Sequence, residues 1–428
     1  MRKHNSSRRR GASLAGAAIV TGALVLAGCT PEGGTADETS GATDNGTVEE
    51  QTLTVWHYFS DENQVQIMED YKSLFEGNHA GVTVENVFVP YDQMNPRLIT
   101  SASTGSGPDV VVFNGAEAST LVLGDVLAPL DEYWANFEDA DQFPDSVVHS
   151  LDGSAYAVQG YVNLLGLWYN ADILEEVGVE PPSTLDELNS ALDAVVAAGY
   201  GGITLSGLPN SQGEWQGYPW LTAHGFTYDD PQAQPLEDAF TMIQDWTASG
   251  ALTKEAVTWD QTVPFQTFAA GGVAFAENGN WQLGTAASTA DFEYGVVSLP
   301  VGDTGQVYLG GEGEGIGAFS EHPDLAWQYL AETYYSVEGQ LIAANTVGSI
   351  PARADAAQDP AVTSNPLLGG FAATIKNNGG NYPSPAVPPA SVADQQLEVG
   401  QVWSSVIGGQ LTPAEAAQRV ISALEALL

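Results

Sequence analysis

Basic residues are scarce in this sequence. Of its 428 residues only 11 are lysine or arginine, whereas 54 are aspartate or glutamate. Five of the basic residues and none of the acidic ones precede Cys29, so the chain from Cys29 onward has a net charge of about −48. A nucleic-acid partner is excluded, because binding phosphates requires clustered lysine and arginine. Polyanionic ligands are disfavoured for the same reason, and the acidity predicts a strongly hydrated surface.

Cysteine is scarcer still, since Cys29 is the only one. A single cysteine excludes an internal disulfide, and the chain after Cys29 has no thiol for catalysis. Long apolar runs are also missing. The small, apolar stretch 12–27 follows a basic segment and is too short to span a bilayer comfortably, which is typical of a signal peptide.

The signal peptide ends in Leu26-Ala27-Gly28-Cys29, which resembles the lipobox of bacterial lipoproteins. The resemblance implies that residues 1–28 are a lipoprotein signal peptide and that Cys29 is acylated, with palmitate as a typical acyl chain. An ordinary signal peptide with an incidental cysteine is the alternative. The run Ser7-Arg8-Arg9 leaves twin-arginine export open beside general secretion.

Residues 29–51 are small, polar and acidic, without an apolar period. This composition predicts a disordered tether between the lipid and the folded part. No other segment approaches the length of a membrane span. We therefore expect the protein to contact the membrane through its N-terminal lipid only, on the outer face of the cell membrane.

Strand and helix patterns alternate from residue 53 onward. This rhythm predicts an α/β fold with parallel sheets. In the helix that should begin at Leu185, Thr184 and Glu187 have the spacing of a capping box. Strands are predicted at 53–56, 82–89, 109–113, 164–169, 273–276, 294–299 and 315–319, and helices at 64–76, 185–198, 235–249, 323–336 and 413–428.

Enzyme motifs are absent: there is no G-x-x-x-x-G-K-[ST], no G-x-S-x-G and no H-E-x-x-H. The glycine-rich segment 310–315 continues into an alternating apolar pattern rather than a helix, and its two glutamates would repel a phosphate. The segment from Asp139 starts like a calcium loop but has Pro144 and Ser150 at positions that need glycine and glutamate. The histidines have no metal-ligand spacing. We predict no enzyme activity, no metal and no cofactor.

Aromatic residues are frequent where the chain leaves a predicted strand. Ligands of open α/β sheets bind beyond the carboxyl ends of strands, and aromatic rings can stack on the apolar faces of sugars. The alternative is that such residues belong to the core, and we accept this for Trp56, Trp168, Trp246 and Trp327. The clusters are Trp56–Phe59, Tyr161 with Trp168 and Tyr169, Trp215 with Tyr218 and Trp220 on a predicted loop, and Trp281.

Residues 52–428 resemble the extracellular solute-binding proteins of bacterial ABC importers (family 1, carbohydrate type). The resemblance implies a type II, periplasmic-binding-protein-like α/β fold, in which two lobes close over a ligand cleft. The lobes would be 52–159 plus 309–355 and 163–305 plus 356–428. The stretches that carry the resemblance are LTVWH at 53–57, GPDVVVFNG at 107–115, LAPLDEYW at 127–134, 152–188, 265–281, YGVVSLPVG at 294–302, GG at 310–311 and IPAR at 350–353.

The resemblance also implies ligand contacts. Asn114 occupies the position after the third strand that is usually a ligand-binding Asp or Asn, and Arg353 belongs to the Pro-x-Arg motif. Two positions depart from the family: relatives often have an acid at Asn163 and an aromatic residue at Glu312. The full set of implied ligand-binding residues is Tyr58, Asp61, Asn114, Tyr161, Asn163, Trp215, Trp281, Glu312 and Arg353.

These observations predict a monomeric, lipid-anchored binding protein. It would capture a neutral sugar, a di- or oligosaccharide, and deliver it to the permease subunits of an ABC importer. One alternative keeps the fold but binds a phosphorylated polyol such as glycerol phosphate, for which Arg353 is the only basic residue near the implied cleft. The other is a secreted glycoside hydrolase, which needs two carboxyl groups about 5 to 9.5 Å apart across the scissile bond.

Overall fold

The computed structural model describes residues 50–428, which belong to one compact unit. The predicted signal peptide (1–28), Cys29 and nearly all of the predicted tether (29–51) lie outside the described residues. Gln51, the last residue of that predicted tether, is instead the first residue of a strand. In the part that is described, no helix is long and apolar enough to cross a membrane.

Six strands form the sheet of the first lobe, in the order β2-β1-β3-β12-β5-β4. The central strand β3 is apolar and fully buried over its first four residues, as the sequence predicted. The strands are β1 (Gln51–His57), β2 (Val82–Phe88), β3 (Val110–Asn114), β4 (Val148–Leu151), β5 (Ser154–Val158) and β12 (Glu312–Ile316).

Four strands form the sheet of the second lobe, in the order β10-β7-β9-β8, and two short pairs accompany it. The pair β6–β13 and the bridge from Asn163 to Gly310 lie where the chain passes between the sheets. The remaining strands are β6 (Tyr161–Val162), β7 (Leu165–Asn170), β8 (Gly201–Thr204), β9 (Val273–Gly279), β10 (Tyr294–Val297), β11 (Val307–Leu309), β13 (Ile350–Pro351) and β14 (Gly379–Asn381).

Both large sheets are mixed, so the prediction of parallel sheets is only partly right. Strand β1 is parallel to β2 and β3, and β8 is parallel to β9. Strand β12 returns to the first sheet antiparallel to β3, and β7 runs antiparallel to both of its neighbours. A strand that a long connection joins to its neighbour in the sheet can run parallel or antiparallel to that neighbour. Local periodicity contains no information on the direction.

Helices cover the sheets of both lobes. The capping box at Thr184 is confirmed, and Gly250 ends its helix with φ 81°. The helices are α1 (Glu62–Asn78), α2 (Tyr91–Ser103), α3 (Ala118–Leu123), α4 (Asp131–Ala135), α5 (Ala171–Val177), α6 (Leu185–Ala197), α7 (Ser211–Ala223), α8 (Ala233–Ser249), α9 (Thr262–Ala269), α10 (Leu283–Thr289), α11 (Pro323–Glu332), α12 (Val337–Val347), α13 (Pro360–Thr363), α14 (Leu368–Asn378), α15 (Val392–Ile407) and α16 (Pro413–Leu427).

Helix α7 was expected to be a loop. Its sequence contains Gly213, Gly217 and Pro219, which disfavour a helix in isolation. The helix packs closely on α15, where a Cβ added at Gly217 would lie 2.9 Å from the Trp403 ring. Tertiary packing therefore selects glycine here and overrides the local propensity.

Each lobe has its own hydrophobic core. Leu53, Val55 and Val110 belong to the core of the first lobe, whereas Leu167, Trp168 and Phe275 belong to that of the second. This division confirms the predicted two-lobe α/β class.

Candidate ligand-binding site

A cavity lies between the two lobes, and we call it the cleft. The empty space inside it, including the open mouth, is about 750 Å³. Tyr58 and Asp61 follow β1, Asn114 ends β3, and Trp281 follows β9, so the cleft lies beyond the ends of strands from both sheets. Its lining is Tyr58, Ser60, Asp61, Gln64, Tyr91, Asn114, Asn163, Gln212, Trp215, Asp260, Gln261, Thr262, Trp281, Gly311 and Glu312.

Glu312 is at the centre of the first-lobe wall. Its carboxylate accepts hydrogen bonds from the Tyr58 hydroxyl (3.0 Å) and from Asn163 Nδ2 (3.0 Å). Burial raises the pKa of Glu312 to about 7, although the Tyr58 hydrogen bond opposes the shift. A carboxyl group that titrates near neutrality can accept hydrogen bonds from ligand hydroxyls without the full cost of a buried charge.

Asn163 is fixed by neighbours from both parts of the chain. Asn280 Nδ2 donates to Asn163 Oδ1 (2.9 Å), and the main chain of Asn163 pairs with Gly310. The side-chain amide of Asn163 therefore directs its N–H group at Glu312. An acid at position 163 would place two buried carboxylates side by side, so the amide at this position suits the glutamate at 312.

Tyr91 links the lobes at one end of the cleft. Its hydroxyl accepts a hydrogen bond from Asn114 Nδ2 (3.2 Å) and lies 3.3 Å from the Ser211 hydroxyl of α7. The Tyr91 ring packs edge-on against Tyr58, with centroids 5.1 Å apart. Residues of β1, α2, β3 and α7 are thus held in one cluster.

Two tryptophans form the second-lobe wall. Trp215 of α7 is 6% exposed, packs against Tyr382 and Tyr308, and its Nε1 has no hydrogen-bond partner among the described residues. Trp281 is half-buried, and its ring covers Gly279 so closely that a Cβ there would overlap it. Flat rings of this kind suit the apolar face of a sugar, and an unpaired indole N–H suits an acceptor on a ligand.

Two aspartates approach the cleft from opposite lobes. Burial and the negative charge of Asp260 both raise the pKa of Asp61. Among the described residues, no lysine, arginine or histidine lines the cleft. A phosphorylated polyol would therefore find acceptors and no cation for its phosphate.

The structure brings seven of the nine implied residues into the cleft: Tyr58, Asp61, Asn114, Asn163, Trp215, Trp281 and Glu312. It places the other two elsewhere. Tyr161 is 2% exposed and packs on Tyr334 in the first-lobe core, behind the Glu312 strand. Its hydroxyl nevertheless lies near Glu312, where a hydrogen bond from it opposes the rise in the pKa of that carboxyl.

Arg353 is the clearest correction, because it does not line the cleft. Its guanidinium makes a bidentate pair with Asp355 (2.9 and 2.8 Å), and it also contacts Asp139 (3.1 Å) and the Tyr335 carbonyl (2.7 Å). These partners take up the donors that the sequence analysis assigned to a ligand. The residue instead ties the end of β13 to the first lobe.

Several cleft residues were missed by the sequence analysis: Ser60, Gln64, Tyr91, Gln212, Asp260, Gln261, Thr262 and Gly311. Tyr91 follows a predicted strand, as Tyr58 does, so its position was a usable signal. Gln212 lies on the helix that was expected to be a loop. The segment 260–262 leads into α9, whose first residue is Thr262, and its sequence has no pattern that separates it from an ordinary surface turn.

No metal centre is found within residues 50–428: no group of three or more His, Cys, Asp or Glu side chains is placed to hold an ion. Burial lowers the pKa of His57 and of His149 to about 4.

Comparisons with known proteins agree on one family. The maltotriose-binding protein of Pyrococcus abyssi (strain GE5 / Orsay) is 23% identical over 380 residues, covering 83% of this chain and 76% of that protein. The galactooligosaccharide-binding protein of Bacillus subtilis (strain 168) is 23% identical over 415 residues, covering 93% and 89%. The GacH receptor of Streptomyces glaucescens GLA.O, solved unliganded and with acarbose, superposes with a TM-score of 0.80 at 24% identity, covering 89% and 98%.

A family profile matches a larger continuous part of the chain than any motif quoted above. It is described as bacterial extracellular solute-binding protein, and it matches residues 70–370. The match spans parts of both sheets and most of the cleft lining. Together with the two-lobe fold and the interlobe cleft, it shows that this chain belongs to the bacterial extracellular solute-binding proteins, the family that its motifs predicted.

Proposed function

We propose that the protein captures a neutral di- or oligosaccharide in the cleft and delivers it to the permease of an ABC importer. The observation that carries the proposal is the pairing of two walls. Trp215 and Trp281 bring indole rings to the cleft lining, together with the hydrogen-bonding groups around Glu312. Sugars need both, because their rings have apolar faces and polar rims.

Several relatives support the ligand class by their names. They include the maltotriose-binding protein, the melibiose/raffinose/stachyose-binding protein and the galactooligosaccharide-binding protein. The acidic, cation-free lining favours a neutral ligand over a phosphorylated one. The family is one of solute-binding proteins, which favours binding without turnover over glycoside hydrolysis.

The anchoring and the domain boundaries belong to the same proposal. We assign 52–159 plus 309–355 to the first lobe and 163–305 plus 356–428 to the second. We assign Cys29 as the lipidated N-terminus of a monomer on the outer face of the cell membrane. Closure of the lobes would then present a sugar-loaded surface to the permease.

Calorimetric titration of the full chain tests the ligand class. The protein is purified in a detergent without a sugar head group and titrated with glucose, maltose, maltotriose, melibiose, raffinose and stachyose, with glycerol phosphate as the control. We expect saturable one-to-one binding of at least one oligosaccharide, weaker binding of glucose, and no released reducing sugar. Binding of glycerol phosphate alone would overturn the carbohydrate assignment, and sugar release would indicate a hydrolase.

A further inference from the structure

One buried asparagine that does not line the cleft is connected to both of its walls. Asn280 follows the last residue of β9 and directly precedes Trp281, and its exposed fraction is 0%. It is not among the residues that line the cleft, so any effect it has on ligand binding must be indirect.

Every polar group of the Asn280 side chain has a partner. Its Oδ1 accepts a hydrogen bond from the Leu164 N–H (2.8 Å), and its Nδ2 donates to the Gly348 carbonyl (2.9 Å) and to Asn163 Oδ1 (2.9 Å). A main-chain N–H can only donate and a carbonyl can only accept, so the two main-chain partners fix which end of the amide is oxygen and which is nitrogen. Asn280 is therefore held in a single orientation.

This orientation determines that of Asn163. Because Asn280 presents an N–H group, Asn163 turns its Oδ1 toward Asn280 and its Nδ2 toward Glu312 Oε2 (3.0 Å). A reversed Asn163 amide would place two N–H groups against each other at one end and two oxygens against each other at the other end. The main-chain groups of residues 164 and 348 thus ensure, through two amides, that the carboxylate of Glu312 receives a donor.

Two stretches of chain that pass between the sheets also meet at Asn280. Leu164 lies between β6 and β7, and Gly348 lies between α12 and β13, the strand that pairs with β6. Trp281 is the next residue in the chain and belongs to the second-lobe wall of the cleft. The connection from its indole ring to Glu312 therefore consists of one peptide bond and two side-chain amides.

We propose that Asn280 is a positioning residue for sugar binding, which keeps the Asn163 amide turned so that its N–H group supports the ligand-accepting carboxylate of Glu312. The inference rests on the proposed function, because ligand hydroxyls are what this carboxylate would accept. Without Asn280 the Asn163 amide is free to rotate, and the ionised form of Glu312 loses part of its support. Sugar binding that needs the ionised form should then require a higher pH.

The titratable groups around Glu312 are acidic residues and tyrosines. Glu314, two residues along β12, lies outside the cleft lining, and burial raises its pKa well above the ordinary value. Asp61 and Asp260 line the cleft with Glu312, and burial also raises the pKa of Asp61. An effect on Glu312 must therefore be recognised by its dependence on Asn163. The tyrosines have pKa values raised above 10, mainly by burial, and stay protonated below that pH: Tyr58, Tyr71, Tyr91, Tyr161 and Tyr334.

Calorimetric titration of the full chain with the best sugar of the panel, between about pH 5.5 and 9, tests the proposal. In the unchanged protein the affinity should fall as the pH drops through about 7. Asn280→Ala should move the midpoint of this fall upward by about one pH unit. Asn170→Ala is the matched control, because Asn170 is a buried asparagine of the second lobe that caps α5 and does not line the cleft. Its midpoint should stay unchanged although its stability falls.

A double-mutant cycle identifies the route of the effect. Asn163→Ala removes the donor outright, so it should raise the midpoint about as much as Asn280→Ala, which should then add nothing in the Asn163→Ala background. A shift of equal size in both backgrounds, an unchanged midpoint in Asn280→Ala or a flat profile in the unchanged protein would overturn the positioning role and leave the cleft assignment intact. Failure of the unchanged protein to bind any sugar would overturn the proposed function itself.

Asn280→Asp covers the case in which the alanine variant does not fold. Aspartate keeps the size of the side chain and the acceptor for Leu164, and it replaces the N–H donors by an oxygen; urea unfolding checks that the variant is folded. The midpoint should again move upward, and in the Asn163→Ala background the shift should shrink to the part caused by the added charge. An unchanged midpoint, or a shift of equal size in both backgrounds, would overturn the proposal.

Discussion

On the first-lobe wall of the cleft, Glu312 is held between Tyr58 and Asn163, whereas the second-lobe wall carries the rings of Trp215 and Trp281. The first wall is a hydrogen-bonded network whose atoms are directed before a ligand arrives. The second wall offers apolar surface from its two indole rings. From the proposed function we expect the second lobe to set how tightly a sugar ring is held and the first lobe to set which hydroxyl pattern is accepted.

The two walls also differ in what holds their side chains in place. The rings of the second wall pack where a Cβ is missing: Trp281 covers Gly279, and Trp215 covers Gly310 of the interlobe segment. The first wall depends on hydrogen bonds, with Asn280 holding Asn163 in place. Substitutions in the second wall should therefore weaken ligand binding through steric overlap. Substitutions in the first wall should weaken it through changes in hydrogen bonding and charge.

Trp281→Ala should give the largest loss of affinity. Truncating a central aromatic anchor costs about 2 kcal/mol, or roughly thirtyfold in Kd. Calorimetric titration with the best sugar of the panel measures the loss, and Trp281→Phe, which keeps a ring, should recover most of the affinity. An unchanged Kd in Trp281→Ala would remove the tryptophan from the site.

Gly310→Ala should be the next most damaging substitution. The added methyl would overlap the Trp215 ring, and overpacking of this kind costs about 1–3 kcal/mol. We expect roughly a tenfold weaker Kd, because the ring must shift out of the second wall. Gly369→Ala is the matched control, since no heavy atom lies within 4 Å of the added carbon. If both variants bind alike, the packing of Trp215 is not what shapes this wall.

Glu312→Gln tests the first wall and its pH dependence. The pKa of Glu312 is about 7, and ligand hydroxyls favour the ionised carboxylate, so affinity in the unchanged protein should fall as the pH drops from 8 to 5.5. The variant should bind about fivefold more weakly at pH 8 and show a flatter profile. A profile as steep as that of the unchanged protein would assign the titration to Asp61, whose pKa is also raised.

The same glutamate affects folding with a predictable sign. Its pKa is raised above the ordinary value of 4.5, so the folded state retains a proton that the unfolded state releases between pH 4.5 and about 7. The free energy of unfolding should therefore fall as the pH rises through that window. Urea unfolding at several pH values measures how the free energy of unfolding changes with pH. In Glu312→Gln this change should be smaller by up to about 1.4 kcal/mol per pH unit.

Arg353→Met should have the smallest effect on affinity, within about twofold, because the guanidinium lies outside both walls. Stability should fall by about 1–2 kcal/mol, since the Tyr335 carbonyl loses its donor and Asp355 its bidentate partner. Urea unfolding measures this, with the exposed Arg419→Met as control. A tenfold loss of sugar affinity would instead show that Arg353 contacts the ligand, as the sequence analysis implied.

Much of the local structure could be predicted from the sequence. The helix after Thr184 and a buried strand at 109–113, found at 110–114, were predicted because their signals are local: a capping box and a continuous apolar run. Helix α11 was predicted to reach 336 but ends at Glu332, and Ser336 caps the next helix. A short turn between two helices hardly interrupts the spacing of apolar residues, so the end of the first helix could not be located from that spacing.

The sequence by itself determined the family and the two-lobe α/β class, because these depend on short motifs and on local patterns of apolar residues. Seven of the nine residues that the resemblance implied as ligand contacts line the cleft. Only the tertiary structure decided that Arg353 faces Asp355 instead of a ligand and that Gln212 and Asp260 join the cleft. The physical reason is that the direction of a side chain follows from the register of its strand and the packing of its helix. Both are set by contacts between residues far apart in the chain.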